Sequence, residues 1–329
     1  MAGRKPQQRF FQQLMINGKE APIFSIVSGT YIEAMSLDGP QLILNINDLD
    51  GNLRDTMGLV SGAKLELIMG DVSGRGEAYF RSAFKVVSIK PDGRRLRVEA
   101  IEATVYQHKH PAPAGTFFID RRVKEVLMTL FQGYTINTTF TSKVNYHINM
   151  GGSAIAMLEK MARDLGAAIW VARNTVYCLP RDQLGTREKD FPVLEYQAQK
   201  SQHPIQAFKP LYNNPAAARS VQRNYMSWDT VGGLMASPVN PTAPRQFVAG
   251  ATLDELDKMG ACTVPAMTCD MPGNGSYTAG MTVGVRLHRL NREAVLDESL
   301  PPKQVIMTVS HIDENSEYRC KLTTGAYQL

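Results

Sequence analysis

Cysteine is scarce: four residues in 329 (Cys178, Cys262, Cys269 and Cys320), with no CxxC pair among them. That spacing argues against a disulfide framework and for reduced, buried thiols. Cys262 and Cys269 would be half a zinc site, but no His/Cys pair stands at finger-like spacing, so no metal is expected. Tryptophan is scarcer still. Trp170 and Trp228 both fall in strand-like stretches and are expected in the core, which disfavours a carbohydrate- or small-molecule-binding surface built on clustered aromatics. Long apolar runs are missing as well. The longest, Ala167 to Ala172, is far below the roughly 20 residues of a membrane-spanning helix. The amino end, Met1 to Leu14, is polar and Gln-rich, unlike a signal peptide. No membrane insertion is expected.

A concentration of charge is absent too. The net charge of +5 divides almost evenly: 13 basic against 12 acidic side chains over residues 1–107, 11 against 8 over 108–198, and 12 against 11 over 199–329. Nucleic-acid recognition needs a basic stripe. The local clusters here, Arg4/Lys5/Arg9, Arg94-Arg95-Leu96-Arg97 and Arg121-Arg122, read as solvated faces, so specific DNA recognition is not expected.

Catalytic signatures are equally thin. HExxH, GxSxG and Cys–His patterns do not occur. His108 and His110 form an i, i+2 pair beside Pro111 and Pro113, where a linker explains them better than a metal. Gly151-Gly152-Ser153 lacks the lysine of a phosphate loop, leaving Ser153 as a helix N-cap. Ser73-Gly-Arg-Gly76 lacks a third glycine and reads as a hairpin tip. Glycoside hydrolysis needs two carboxylates about 5–10 Å apart in a cleft. Glu99 and Glu102, i and i+3 in a strand, face opposite sides, and Asp313, Glu314 and Glu317 straddle a turn as solvated charge. No catalytic, cofactor-binding or metal-binding residue is assigned.

What the sequence does have is apolar periodicity. Hydrophobic residues make up 43% of the chain, enough for real cores. Leu42, Leu44 and Ile46 alternate with polar neighbours, as do Leu65, Leu67 and Met69, which is strand periodicity. Phe84–Ile89 and Leu96–Ile101 follow, joined by a Pro91-Asp92-Gly93 turn. Residues 1–107 are expected to form a first small antiparallel β-barrel.

After His110-Pro111-Ala112-Pro113 the period becomes helical. Asp120 is expected to cap a helix through Gln132 with Val123, Val126, Leu127, Leu130 and Phe131 inward and Gly133 as its stop. Ser153 starts a second helix with Met157, Leu158, Met161, Ala162 and Leu165 inward. Ala168–Ala172 and Thr175–Leu179 flank a two-residue turn, Arg173-Asn174. Residues 108–198 are therefore an α+β middle domain. Strands return in 199–329, read as a second β-barrel, with a capping box at Thr252–Glu255 opening a short helix over 253–259. Mainly β, with an α+β insertion, is the expected class.

The order of these elements resembles a known family. Asp48-Leu-Asp-Gly-Asn-Leu-Arg-Asp-Thr-Met-Gly-Leu-Val-Ser-Gly-Ala-Lys-Leu-Glu-Leu-Ile-Met69 followed by Phe84–Ile89 is similar to the early barrel of baseplate hub proteins of contractile phage tails. These include the late control protein D family and the hub portion of type VI secretion spike proteins. Ser153 to Pro180 resembles the family's helix–Gly–two-strand unit, and Val221–Asp229 with Val305–Ile312 and Tyr318–Leu322 resembles its second barrel. The likeness spans most of the chain, by element order more than by identities. It implies a homotrimeric ring with two barrels per chain, joining a six-fold tail tube protein to a three-fold central spike protein. Baseplate or tape-measure proteins would be neighbours, DNA would pass through the lumen, and the virion tail, assembled in host cytoplasm, would be its place. Spike or lysozyme-like domains would be separate chains. A tail-associated peptidoglycan hydrolase is the alternative.

Overall fold

The computed structural model describes residues 9–70, 79–92, 95–184, 191–197, 200–211, 216, 221–236, 243–260, 262–288, 299–315 and 317–328. The Ser73–Gly76 loop, Gly93, Arg94 and the Arg4/Lys5 pair fall outside them. The first third supplies β1 (Phe11–Ile16), β2 (Lys19–Ala21), β3 (Ile26–Ala34), β4 (Gln41–Asn47), β5 (Lys64–Met69), β6 (Phe80–Asp92) and β7 (Arg95–Glu102). The middle holds α1 (Ala103–Lys109), β8 (Thr116–Arg122), α2 (Val123–Leu130), β9 (Thr135–Thr138), β10 (Lys143–Ile148), α3 (Ala154–Asp164), β11 (Ala167–Ala172) and β12 (Thr175–Pro180). Next come β13 (Val193–Tyr196), β14 (Pro204–Ile205), β15 (Ala207–Pro210), β16 (Asn224–Asp229), β17 (Gly233–Ala236) and β18 (Arg245–Phe247). The last part comprises α4 (Leu253–Gly260), β19 (Cys262–Pro272), β20 (Thr282–Leu287), β21 (Lys303–Glu314) and β22 (Glu317–Gln328). The protein is mainly β.

The two β-rich ends are not separate sheets. On one side β21 pairs along its length with β22; on the other it pairs first with β20 and then, from Thr308 onward, with β3. Thr308 stands opposite Ala34 and Glu314 opposite Ser28, so one strand carries ladders from both ends of the chain. From β3 the ladder continues β4–β7–β6–β5–β1–β2, and from β22 it continues to β19 and β15. The core is shared accordingly: Leu14, Leu44, Leu65 and Phe84 lie in the same buried cluster as Met267, Val283, Ile306 and Leu322.

Alternation decides which side chains enter that core. Leu42, Leu44, Ile46, Leu65, Leu67 and Met69 are all fully buried, each such side chain contributing about 1.5–3 kcal/mol. The Asn17-Gly18 turn has left-handed φ values of 49° and 81° and joins β1 to β2 directly. Among the described residues no ladder joins β1 to β3; side chains fill that gap. A Cβ on Gly29 would stand 2.3 Å from Phe11 Cε2 and 2.9 Å from Leu44 Cδ2. Gly29→Ala is therefore expected to lower stability by about 1–3 kcal/mol, the overpacking range, read by thermal unfolding. An unchanged melting temperature would show that Phe11 is free to move aside.

In the middle segment, Ser153 Oγ accepts the Ala156 N–H at 3.1 Å, capping α3 as its sequence predicts. Arg173 and Asn174 take φ values of 47° and 61°, the two-residue turn between β11 and β12. The Thr252–Glu255 capping box also forms, with Thr252 N–H donating to Glu255 Oε2 at 2.7 Å and Glu255 N–H to Thr252 Oγ1 at 3.4 Å. The Asp120 cap does not. β8 runs on to Arg122 because Arg121 and Arg122 pair with Val144 and Lys143 of β10, and the helix starts directly after it, at Val123. Asp120, at φ 53°, instead bonds Lys143. Helix α1 is a second departure: Glu102 ends β7 and caps it, accepting from Thr104 N–H at 3.0 Å and Val105 N–H at 2.8 Å.

Candidate functional site

Several fully buried polar side chains meet where three parts of the chain touch. Strand β3 contributes Tyr31 and Glu33 on its inward phase, both fully buried. Strand β21 contributes His311, also fully buried. The β11–β12 turn inserts Arg173 from the middle segment, and the loop before β20 contributes Tyr277, Thr278 and Ala279.

Glu33 is the hub of these contacts. Its Oε1 accepts from Tyr31 OH at 2.9 Å and Arg173 Nε at 3.2 Å, and its Oε2 from Thr278 Oγ1 at 2.6 Å and the Ala279 N–H at 3.2 Å. Arg173 Nη2 also donates to the Tyr277 carbonyl at 2.7 Å, and its guanidinium lies 4.9 Å from the centre of the Phe80 ring. Burial by itself would raise the Glu33 carboxyl. The Arg173 charge and the hydrogen bonds from Thr278 and Tyr31 outweigh it and hold the group below its ordinary value. Burial, then the neighbouring Glu33 charge, push the Tyr31 hydroxyl well up.

His311 is fixed in one neutral tautomer by what surrounds it. Nε2 lies 3.0 Å from the Tyr277 carbonyl, which can only accept, so Nε2 carries the proton. Nδ1 then accepts from Tyr318 OH at 2.7 Å. Phe10 stacks on the imidazole at 4.5 Å with the planes parallel to 1°. Burial and then Arg173 push this imidazole down to about 3.

Chemically, this is a clamp. Each Glu33 oxygen already holds two donors and meets no solvent, so the carboxylate has no open face for a substrate. The clamp ties β3, β21 and the middle segment into one unit. Two further bonds brace it: Asn174 Nδ2 donates to the Arg81 carbonyl at 3.0 Å and Trp170 Nε1 to the Ala279 carbonyl at 3.2 Å.

The residues weighed in the sequence are not brought together. Glu99 pairs with Arg97 at 3.0 Å, and Glu102 is buried as the α1 cap, with Tyr134 OH donating at 2.5 Å. Asp313, expected as solvated charge, is buried and accepts the Phe10 N–H at 3.0 Å. His108 lies on α1 rather than in a linker, its Nε2 2.7 Å from the Leu130 carbonyl, and His110 packs edge-on against Tyr106. All four cysteines are buried free thiols. Cys262 and Cys269 sit on one extended strand, seven residues and so roughly 23 Å apart, too far to share a metal. Among the described residues no group of three or more His, Cys, Asp or Glu could hold one, and no helix is long and apolar enough to cross a membrane. Trp170 is buried but Trp228 is 60% exposed, against its expected core place.

No protein-family model matches the chain, and no curated protein is significantly similar in sequence. Solved structures are similar in fold. A tail protein from Neisseria meningitidis MC58 matches at TM-score 0.62 and 12% identity, over 95% of this chain and 96% of that one. The 43 kDa tail protein of prophage MuSo2 from Shewanella oneidensis matches at 0.61 and 10%, over 96% and 98%. An Escherichia coli type VI secretion component, described as structurally similar to the T4 bacteriophage tail proteins gp27 and gp5, matches at 0.54 and 7%, over 95% and 76%. At these identities the likeness establishes a shared fold.

Proposed function

We propose that this chain is a non-enzymatic structural part of a phage-type tail, a baseplate hub protein. In this reading a homotrimeric ring joins the six-fold tail tube to the three-fold central spike and lines the DNA ejection channel in the virion. Baseplate or tape-measure proteins would be further neighbours. The observation that carries the reading is the fold likeness to two tail proteins over nearly the whole of both chains.

Two features of the fold support the finer version. Three copies present six tube-like units only if each chain has two. Around the second unit, ladders run β21–β20–β13–β14 one way and β21–β22–β19–β15 the other. The chain passes from β14 to β15 through Gln206 alone, whose N–H donates to the Asp270 carbonyl at 2.9 Å. A curled sheet of that kind suits a second small barrel beside a first one built on β1–β7 in this reading. The units of the proposal are 1–107, 108–198 and 199–329, with α1 crossing the first joint. The thinly spread charge suits a lumen that DNA traverses without being held.

Mass photometry and negative-stain imaging of the purified full chain test it. A particle of three times 36.4 kDa, ring-shaped and binding the tube and spike proteins, is the expected result. A chain that stays monomeric at high concentration and ignores both would overturn the reading.

A further inference from the structure

The segment from α1 to β12 keeps a core of its own. Val105, Val126, Leu127, Leu158, Met161 and Val176 belong to a buried cluster whose one member from elsewhere is Leu37. The cluster shared by the two β-rich ends contains no residue of 103–184. Backbone pairing divides in the same way. Among the described residues, β8 and β10 pair with each other and β9, β11 and β12 among themselves. None of the five joins a strand outside the segment.

Side chains rather than ladders therefore hold this segment to the β framework. At one end of the seam Glu102 finishes β7 and caps α1, its own N–H donates to the Pro40 carbonyl at 2.9 Å, and Leu37 enters the segment's core. At another stand the Arg173 clamp and Trp170, whose Nε1 donates to the Ala279 carbonyl at 3.2 Å. The seam also holds a cavity of about 440 Å³, lined by Met35, Cys262 and Met307 of the framework and by Ala162, Ala167 and Ile169 of the segment. Packed cores have few voids larger than a water molecule. This seam forgoes dispersion contacts that the two cores keep, and a protein opens first where its buried apolar contacts are fewest.

We infer that the segment from α1 to β12 is a docked module, which swings away from the β framework about the Glu102 joint when the latch of Trp170 and Arg173 opens, both cores staying folded. The inference does not depend on the hub reading: it gives the chain a joint whether or not copies form a ring.

The four buried thiols are built-in reporters. Cys178 lies in the segment's core, Cys269 and Cys320 in the framework core, and Cys262 lines the seam. The full chain is labelled with iodoacetamide under native conditions, and each site is read by mass spectrometry against its rate in the unfolded chain. Cys262 is expected to react at least about tenfold faster than the other three, on the ground that local opening precedes global unfolding. Gly280→Ala then tests the latch, because a Cβ there would stand 2.2 Å from Trp170 Cζ2 and wedge the indole out. It should speed Cys262 at least about tenfold more than it speeds the others. If that variant does not fold, Arg173→Lys takes its place with the same expectation. Four thiols reacting at one relative rate would overturn the inference, because the chain would then open as a single cooperative unit. A fast Cys262 indifferent to the latch variant would overturn it too, since only the end of β19 would be fraying.

Discussion

Arg173→Ala is expected to lower the unfolding free energy by about 3–5 kcal/mol, the range for stripping one partner from a buried ion pair. Glu33 is fully buried and Arg173 only 17% exposed, so little solvent reaches the carboxylate once the guanidinium is gone. Tyr31, Thr278 and the Ala279 N–H still donate to it, but a hydrogen bond from a neutral group does not replace the countercharge. Arg173→Lys retains the charge and should lose less. A single ammonium cannot reproduce a fork that reaches Glu33 through Nε and the Tyr277 carbonyl through Nη2.

The decisive measurement is a double-mutant cycle with Glu33→Gln. Once the carboxylate is neutral, removing Arg173 should be cheaper by at least about 1 kcal/mol than in the parent, the coupling expected of residues in one network. Urea unfolding followed by tryptophan fluorescence suits the purpose, because Trp170 is buried against this same loop. Strictly additive losses would mean the pair holds nothing together.

How much of this was legible in the sequence depends on how far apart the deciding residues lie. The Arg173-Asn174 turn, the Ser153 cap and the Thr252–Glu255 box are settled within four residues, and the structure has all three. The strand faces of Leu42–Ile46 and Leu65–Met69 follow from strict alternation. Trp228 did not, because Tyr225 and Met226 are apolar in both phases and a one-residue change of phase turns a strand over. Asp120 lost its helix to a pairing with β10, some twenty residues on. The clamp lay beyond reach for the same reason. Glu33 meets Thr278 across 245 positions and Arg173 across 140, and no local period encodes such a meeting. A local signal did exist: Glu33 keeps phase with Tyr31, and His311 with Val309, so both polar residues point where apolar ones do. A charged residue on the buried phase of a strand asks for a partner elsewhere in the chain.

Acid should loosen the same junction before the carboxylates respond. An imidazole whose folded value is about 3, against an ordinary 6.5, stays neutral in the fold while the unfolded chain takes up a proton. Its contribution is complete above pH 6.5 and is lost as pH falls toward 3, at about 1.4 kcal/mol per pH unit. Between pH 6.5 and 4.5 that amounts to roughly 3 kcal/mol from His311. His203, also lowered by burial, acts in the same direction. Glu33 joins only below its ordinary 4.5, because its folded value is lowered. Asp313 works the other way: burial raises it against the hydrogen bonds from the Phe10 and Phe11 amides and the charge of Arg9, so it takes up its proton earlier in the fold. His311→Gln separates these effects, since glutamine does not titrate but can still donate toward Tyr277 and accept from Tyr318. The variant will be less stable at pH 7, yet its unfolding free energy should fall less steeply from pH 6.5 to 4.5 than the parent's, by about 1.4 kcal/mol per unit. Parallel pH profiles for the two proteins would mean that His311 gains its proton on acidification without opening the junction.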